Sequence, residues 1–188
     1  DLKNITLFCQ DWGGLIGLRL AAKYSDRFEK IVAANTGLPT GKAPLSEGFA
    51  VFREFLQIKP DLHVAGQVRN GTTKGIDENA LAAYNAPFPD DDHKQGVRQF
   101  PNLVPGTPRT PSAEPNKEAW KILREWEKPF LCAFSDKDPI FSGVENSFYK
   151  LIPGCKDMPH VTIENAGHFL QEDQPNACVE AILSIKDI

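Results

Sequence analysis

The sequence predicts an α/β fold, in which a mostly parallel sheet is flanked by helices and a helical cap is inserted between two strands. Apolar runs without alternation are typical of strands that a parallel sheet buries on both faces, and they recur at 5–9, 31–34, 130–134 and 159–164. One short helical pattern lies between the first and second runs, and another lies between the third and fourth. The long stretch between the second and third runs is rich in proline and has a helical apolar period.

Composition excludes several classes of protein. The chain has 188 residues, 41% of them hydrophobic and 24% charged, which is enough for one sizeable core. Its net charge of −4 at pH 7 includes no basic block, so we expect no nucleic-acid partner. No apolar run is long enough to span a bilayer, so no membrane association is expected either.

The cysteines indicate a reducing compartment. None of the four lies in a C-x-x-C pair, and two of them fall inside apparent buried strands. Free buried thiols are therefore expected rather than a disulfide framework or a metal site. On this basis we expect a cytoplasmic protein without a bound metal.

The start of the chain reads as a βαβ unit. The strand at 5–9 is followed by Gly13 and Gly14 and then by a helix at 15–24, which has leucine and alanine on one face. A second strand at 31–34 follows after a short connection. We therefore expect two neighbouring parallel strands joined by a right-handed crossover.

Residues 37–127 form the predicted cap. One cap helix is indicated by apolar residues spaced four, three and four apart, which are Leu45, Phe49, Phe52 and Leu56. Further helices are predicted at 77–84 and 116–127. Because the segment starts and ends at strands of one sheet, we interpret it as an insertion into a core of 1–36 and 128–188, and not as an independent domain.

The rest of the chain alternates between strands and helices. After the strand at 130–134, the patterns predict a helix at 144–151, a strand at 159–164 and a closing helix at 175–185. Each of these two strands ends in a short polar loop. The candidate catalytic residues lie in those loops and in the turn after the first strand.

Asp11 stands at the turn between the first strand and the first helix, in the stretch Cys-Gln-Asp-Trp-Gly at 9–13. The nucleophile of an α/β-hydrolase occupies such a turn, usually as the serine of Gly-x-Ser-x-Gly. A carboxylate is ionised at neutral pH and can attack an sp³ carbon that carries a leaving group without help from a base. The resulting alkyl ester must then be hydrolysed with a general base. The alternative is that Asp11 only caps the helix.

Asp138 and His168 follow the third and fourth predicted strands as Asp11 follows the first. Open parallel sheets collect reactive groups at this edge, and the order nucleophile, acid, histidine is that of α/β-hydrolases. His168 would take a proton from water while Asp138 orients its ring. Asp136 is an alternative acid, but Asp138 lies further beyond the strand end. Simple turn or loop roles are the remaining alternatives for Asp138 and His168.

Trp12 directly follows the candidate nucleophile. Its indole N–H is a neutral donor that can hold a departing anion. The alternative is plain packing above the turn.

Several segments together resemble the haloalkane dehalogenases of the α/β-hydrolase superfamily, and they lie at 10–14, 35–39, 83–90, 128–130, 135–139 and 166–173. The segment at 83–90, which contains Pro-Phe-Pro-Asp, is the most specific because other α/β-hydrolases lack it. The resemblance implies that Asp11 is the nucleophile, His168 the base, Asp138 its acidic partner and Trp12 one of two halide-stabilising residues.

The sequence departs from that family at two places. The second halide donor of the most similar subfamily is a cap tryptophan followed by arginine, and the matching position here is Phe52, before Arg53. Phenylalanine has no N–H and offers only a weakly positive ring edge. The family also has further strands and a His-Gly loop before this turn, so the resemblance implies a chain that is truncated at its N-terminus and lacks those strands.

The implied reaction is hydrolysis of a carbon–halogen bond. The expected partners are a small apolar haloalkane and water, the products are an alcohol and a halide, and no cofactor is implied. We expect a monomer. Two alternatives stay open: an epoxide hydrolase, which would need cap tyrosines and has only Tyr84 there, and an inert fragment, because a sheet that begins at this strand exposes an edge.

Overall fold

A computed structural model of the chain describes residues 1–186 and 188. Within them, the sheet has four parallel strands in the order β1-β2-β3-β4. The strands are β1 (Ile5–Gln10), β2 (Phe28–Ala34), β3 (Phe130–Ser135) and β4 (Val161–Ile163). The four predicted strands and their parallel arrangement are therefore confirmed.

Helices connect the strands. They are α1 (Trp12–Lys23), α2 (Glu47–Ile58), α3 (Val64–Asn70), α4 (Glu78–Asn85), α5 (Gln95–Leu103), α6 (Ala113–Leu123), α7 (Glu145–Leu151), α8 (Leu170–Asp173) and α9 (Pro175–Ser184), with short 3₁₀ helices at Asp92–Lys94 and Pro153–Cys155. None of the described helices is long and apolar enough to cross a bilayer.

The sequence patterns missed α3, α5 and α8. α3 and α8 are short, with seven and four residues, so neither shows a full helical period. α5 contains Pro101, and proline inside a helix is unfavourable because it removes a backbone donor. The helix forms nevertheless, since Pro101 is buried and lies near its C-terminal end.

The sheet is covered by helices on both faces. Alternate residues of a strand point to opposite faces, and in β2 Ile31 and Ala33 pack in one apolar cluster while Val32 and Ala34 pack in another. The first cluster also takes side chains from α1, α6 and α7. The second takes side chains from α8 and α9. This two-sided burial explains why the strands read as continuous apolar runs.

The cap helices have an apolar cluster of their own. Leu56, Leu62 and Val64 are buried there, with Phe52 and Phe88 packed against them. By contrast, α6 packs against α1 and contributes to the cluster under the sheet. The predicted boundary between cap and core at residue 127 stays a prediction. We propose that the cap comprises α2–α5 and that α6 belongs to the core.

β1 is an edge strand. It pairs only with β2 among the strands of residues 1–186, so its other side is unpaired. On the adjacent α1, Ile16 and Leu20 are exposed.

The turn from β1 into α1 is held by the residues that follow β2. The Asp11 N–H donates to the Asn35 carbonyl at 3.0 Å, and the Thr36 hydroxyl donates to the Asp11 carbonyl at 2.7 Å. Thr36 also lies so close to Gly14 that a Cβ there would be 1.9 Å from its Oγ1 and 2.6 Å from its Cβ. A Cβ on Gly13 would meet nothing nearer than 4.0 Å.

Exchanging these two glycines for alanine should therefore have opposite effects. Gly14→Ala should lower the free energy of unfolding by about 1–3 kcal/mol, because the added methyl group forces the turn away from Thr36. Gly13→Ala should leave it unchanged or raise it by up to about 1 kcal/mol, because alanine favours the helix. Urea unfolding followed by circular dichroism measures both values. Equal destabilisation by both variants would contradict the close approach to Thr36.

Candidate active site

Asp11 projects from a strained turn. Its φ of 48° and ψ of −121° lie in a region that residues other than glycine rarely adopt. It occupies the N-cap position of α1, but its side chain accepts no capping hydrogen bond from that helix. The carboxylate is instead about one-third exposed (33%) and faces a cavity. The hypothesis that Asp11 only caps the helix is therefore wrong.

The structure brings Asp11, Asp138 and His168 together. His168 Nδ1 lies 3.1 Å from Asp138 Oδ2, and its Nε2 lies 3.8 Å from Asp11 Oδ1. Asp138 and His168 are both buried. The imidazole thus stands between the two carboxylates, with one ring nitrogen directed at each.

Asp136 does not contact the histidine ring. Its Oδ1 accepts the backbone N–H of Ala166 at 3.1 Å, which stabilises the loop before His168. Asp138 uses its second oxygen to accept the N–H of Ile140 at 2.8 Å. The geometry therefore favours Asp138 over Asp136 as the partner of the histidine.

Burial and charge act in opposite directions on the two reactive groups. Burial alone would lower the pKa of His168, but the hydrogen bond to Asp138 and the charges of Asp11 and Asp138 outweigh it, so the net pKa is raised. Burial raises the pKa of Asp11, and the His168 charge and the backbone N–H of Trp12 offset only part of that rise. Both groups therefore hold protons to a higher pH than they would in water.

The loop at 164–169 connects β4 to α8 and carries His168, and we call it the histidine loop. Two buried polar residues that the sequence patterns did not single out hold this loop in place. One is Asn35, at the end of β2. Its amide nitrogen lies 2.8 Å from Ser135 Oγ and 3.0 and 3.1 Å from the carbonyl oxygens of Gly167 and His168, and its oxygen accepts the Ser135 N–H. Since this amide joins β2, β3 and the histidine loop, it keeps the strand ends in register at the site.

The other is Asp173, in α8, a residue that is 2% exposed. Its carboxylate accepts the backbone N–H groups of Thr73 and Lys74 in the cap at 2.9–3.0 Å and that of Gly167 at 2.8 Å. Burial would raise the pKa of Asp173, but these N–H donors outweigh it and lower the net pKa. One buried carboxylate thus joins the cap to the histidine loop.

Two cavities meet at Asp11 and Trp12, with volumes of about 760 and 740 Å³. The smaller one, which we call the aromatic cavity, lies between the sheet edge and the cap and also contacts His168. Its aromatic walls are Phe49, Phe52, Phe88, Phe100 and Phe169. The larger cavity has an apolar wall and a cationic margin of Lys42, Lys117, Lys121 and Arg124.

The indole of Trp12 lines the aromatic cavity. Phe100 packs edge-on against it, with ring centroids 4.7 Å apart. Within the part of the chain that the structure describes, its N–H makes no hydrogen bond to protein. Phe52 lines the same cavity, as the sequence predicts, and contributes a hydrocarbon ring without a donor.

Residues 1–186 and 188 hold no cluster of three or more metal-ligating side chains.

Comparison with known proteins identifies the fold. The sequence profile of the alpha/beta hydrolase fold matches residues 1–175. The chain belongs to the α/β-hydrolase fold family. This agrees with the parallel sheet and with the position of Asp11 at a strand-to-helix turn.

Several of the curated relatives are haloalkane dehalogenases. The chain is 54% identical over 174 residues to the haloalkane dehalogenase of Psychrobacter cryohalolentis, covering 93% of this chain and 57% of the relative. It is 43% identical over 184 residues to that of Mycolicibacterium paratuberculosis, covering 98% and 61%. The tetrameric structure of haloalkane dehalogenase DpaA from Paraglaciecola agarilytica NO2 superposes with a TM-score of 0.89 at 33% identity, covering 100% and 62%. The α/β-hydrolase chain thus spans about three-fifths of the length of these relatives.

Replacing Asp173 should weaken the connection between cap and core in a pH-dependent way. Asp173→Asn should lower the free energy of unfolding at pH 7 by about 1–3 kcal/mol, because an amide cannot accept all of these buried N–H groups. The folded pKa lies below the unfolded value of about 3.9, so the difference from the unaltered chain is full above about pH 5 and shrinks as pH falls below about 4. Urea unfolding at several pH values measures it.

Asp61→Asn is the matched control for this measurement. Asp61 is an exposed aspartate in a cap loop, so its replacement should change stability little at any pH. A stability difference for Asp173→Asn that stays constant from pH 7 to pH 3 would contradict the assigned role of its charge.

Proposed function

We propose that this α/β-hydrolase chain carries the catalytic centre of a haloalkane dehalogenase, which hydrolyses carbon–halogen bonds through a covalent alkyl ester of Asp11. The observation that supports the proposal best is the uncapped Asp11 carboxylate, which faces an aromatic cavity with His168 Nε2 at 3.8 Å. The identity to haloalkane dehalogenases points in the same direction.

In the first step, Asp11 attacks the halogen-bearing carbon. A carboxylate oxygen forms a bond to that carbon, the carbon–halogen bond breaks, and the electron pair leaves with the halide. The apolar cavity removes water from the carboxylate, which makes it more nucleophilic. Trp12 lines the same cavity, and in this proposal its indole N–H donates to the departing halide.

In the second step, water hydrolyses the ester. His168 accepts a proton from the water, and the hydroxyl oxygen attacks the carboxyl carbon of Asp11. Asp138 stabilises the imidazolium that forms, since its carboxylate lies 3.1 Å from Nδ1. In this proposal the backbone N–H of Trp12, which lowers the pKa of Asp11, donates to the developing oxyanion. The bond between the Asp11 carboxyl carbon and the alkoxy oxygen then breaks, and the alcohol leaves with the proton from His168. Asp11 loses the remaining proton to solvent and is again a carboxylate, so the net products are the alcohol, the halide and a proton.

The epoxide hydrolase alternative receives no support from the position of Tyr84. Its hydroxyl donates to Glu172 Oε1 at 2.5 Å, and Tyr84 lines neither cavity that meets Asp11. It is therefore not placed to protonate an epoxide oxygen. Nothing in the site favours this chemistry over halide displacement.

The proposal extends to partners and location. We propose a small apolar haloalkane and water as substrates, because the cavity beside Asp11 is mostly aromatic. The four cysteines are free and buried, which supports a reducing, cytoplasmic location.

That the protein is a monomer stays a prediction, and DpaA, a relative, is described as a tetramer. Analytical ultracentrifugation of the protein measures its state directly.

His168 should be required only for the second step. In His168→Gln, 1-bromobutane should release one equivalent of bromide and leave a butyl ester on Asp11, which mass spectrometry of the peptide would detect. Asp11→Asn should release no bromide, because an amide is not a nucleophile of comparable strength. These tests apply to the chain and to any longer protein that contains it. Bromide release by Asp11→Asn, or no trapped ester in His168→Gln, would contradict the assigned roles.

Three measurements distinguish the proposal from its alternatives: bromide release from 1-bromobutane, opening of styrene oxide, and the cooperativity of unfolding. Styrene oxide opening without bromide release from 1-bromobutane would support the epoxide hydrolase alternative. A chain without cooperative unfolding would support the inert-fragment alternative. Cooperative unfolding with bromide release supports the proposal.

The halide donors can be tested by exchanging aromatic residues. Trp12→Phe should weaken bromide binding about tenfold, because a donor to a charged acceptor is lost. Phe52→Trp should strengthen it about fivefold, because it adds an N–H to the same cavity. Val51→Trp, on the exposed side of the same helix, is the control and should leave the Kd unchanged. Isothermal titration with sodium bromide measures each Kd, and an unchanged Kd in Trp12→Phe would contradict the donor role.

A further inference from the structure

The side chain of Gln10 contacts the histidine on the side that faces Asp11. Gln10 ends β1 and directly precedes Asp11. Its amide nitrogen donates to the backbone carbonyl of His168 at 3.0 Å and lies 3.4 Å from the ring nitrogen Nε2 of the same residue. The sequence pattern assigned no role to this glutamine.

These contacts determine which groups donate. A carbonyl oxygen only accepts, so the amide of Gln10 must present its nitrogen, and not its oxygen, to the His168 loop. Asp138 accepts from Nδ1 of His168 at 3.1 Å, so Nδ1 carries a hydrogen. The neutral ring then has its lone pair on Nε2, 3.4 Å from the Gln10 amide nitrogen, which has a second hydrogen to donate.

We propose that Gln10 is a positioning residue, which favours the neutral form of His168 with Nε2 unprotonated and thereby weakens the ion pair between the histidine and Asp11. If the ring were protonated, the N–H at Nε2 would face the Gln10 amide, and two donors would meet. The role in the reaction rests on the proposed function, whereas the effect on His168 does not.

The carboxylates around the His168 ring favour its protonation, which a neutral donor such as Gln10 opposes. Asp11 and Asp138 face its two nitrogens at 3.8 and 3.1 Å, and both favour the imidazolium. Phe141 stacks on the ring and Phe169 packs edge-on against it, and neither carries charge. Of the other groups that share the cavity, Lys137 is the cation. Gln10 is a neutral donor that opposes protonation from contact distance.

Neutral His168 serves both chemical steps. An ion pair would hold the Asp11 carboxylate that must attack carbon, and a protonated ring could not accept a proton from water. The separation of 3.4 Å is long for a hydrogen bond. A water molecule that enters for the second step can therefore donate to Nε2 at a shorter distance and replace the amide.

The test is an NMR titration of the protein labelled with ¹⁵N-histidine, with His168→Gln used to assign the His168 signals. In Gln10→Met, which has a similar shape but no donor, the His168 pKa should rise by about half to one unit. The Nδ1–H signal of the bond to Asp138 should persist. Gln67→Met is the control, since Gln67 lines the same cavity from α3, and its titration curve should match that of the unaltered protein.

Gln10→Asn is a second variant in case Gln10→Met does not fold. Its amide is too short to reach Nε2, so the His168 pKa should rise in this variant as well. An unchanged or lower His168 pKa in a folded variant would overturn the proposal. Loss of the Nδ1–H signal would also overturn it, because Gln10 would then act by holding the loop through the His168 carbonyl.

The reaction provides an independent measurement. Where bromide release is observed, the low-pH limb of ester hydrolysis should move to higher pH in Gln10→Met, because a histidine with a raised pKa stays protonated to a higher pH. If the unaltered protein releases no bromide but the titration shifts as expected, the proposed function fails while the role of Gln10 stands.

Discussion

The strained turn at Asp11 is the constraint on which the site depends. A positive φ at a residue other than glycine is costly, and here it is held by backbone contacts with Asn35 and by the Thr36 hydroxyl. These contacts exist because β1 and β2 run parallel and end side by side. The turn lifts the carboxylate above the sheet edge and away from the helix it precedes, which leaves it free for chemistry.

Electrostatic balance is the second feature of the site. A buried imidazole between two carboxylates is drawn toward the protonated form, while the proposed reaction needs it neutral and needs Asp11 ionised. The neutral donors around the site, which are the Trp12 backbone N–H and the Gln10 amide, shift this balance without adding a charge. Donors of this kind favour an anion or a lone pair at a low cost in desolvation.

The cap and the core are connected close to the histidine. Asp173 joins a cap loop to the residue before His168, and the Gly71 carbonyl accepts the N–H of the residue after it. The aromatic cavity lies directly beside these contacts. A displacement of the cap would therefore move His168, because the loop that carries His168 is hydrogen-bonded to the cap.

Much of the fold and of the site could be predicted from the sequence. The strands are buried on both faces and so read as apolar runs, and the carboxyl ends of parallel strands converge whatever the details of packing. Asp11, Asp138 and His168 could thus be placed together from their positions after strands. The helices α3 and α5 could not be predicted, because one is short and the other contains Pro101.

By itself, the sequence determined where the strands lie along the chain and which ionisable groups follow them, since both can be read from local patterns. Only the tertiary structure decided that Asp11 does not cap its helix, that Asp138 and not Asp136 meets the imidazole, and that Gln10, Asn35 and Asp173 support the histidine loop. The physical reason is that hydrogen bonds between segments far apart in the chain depend on distances and backbone angles that exist only after the sheet has assembled.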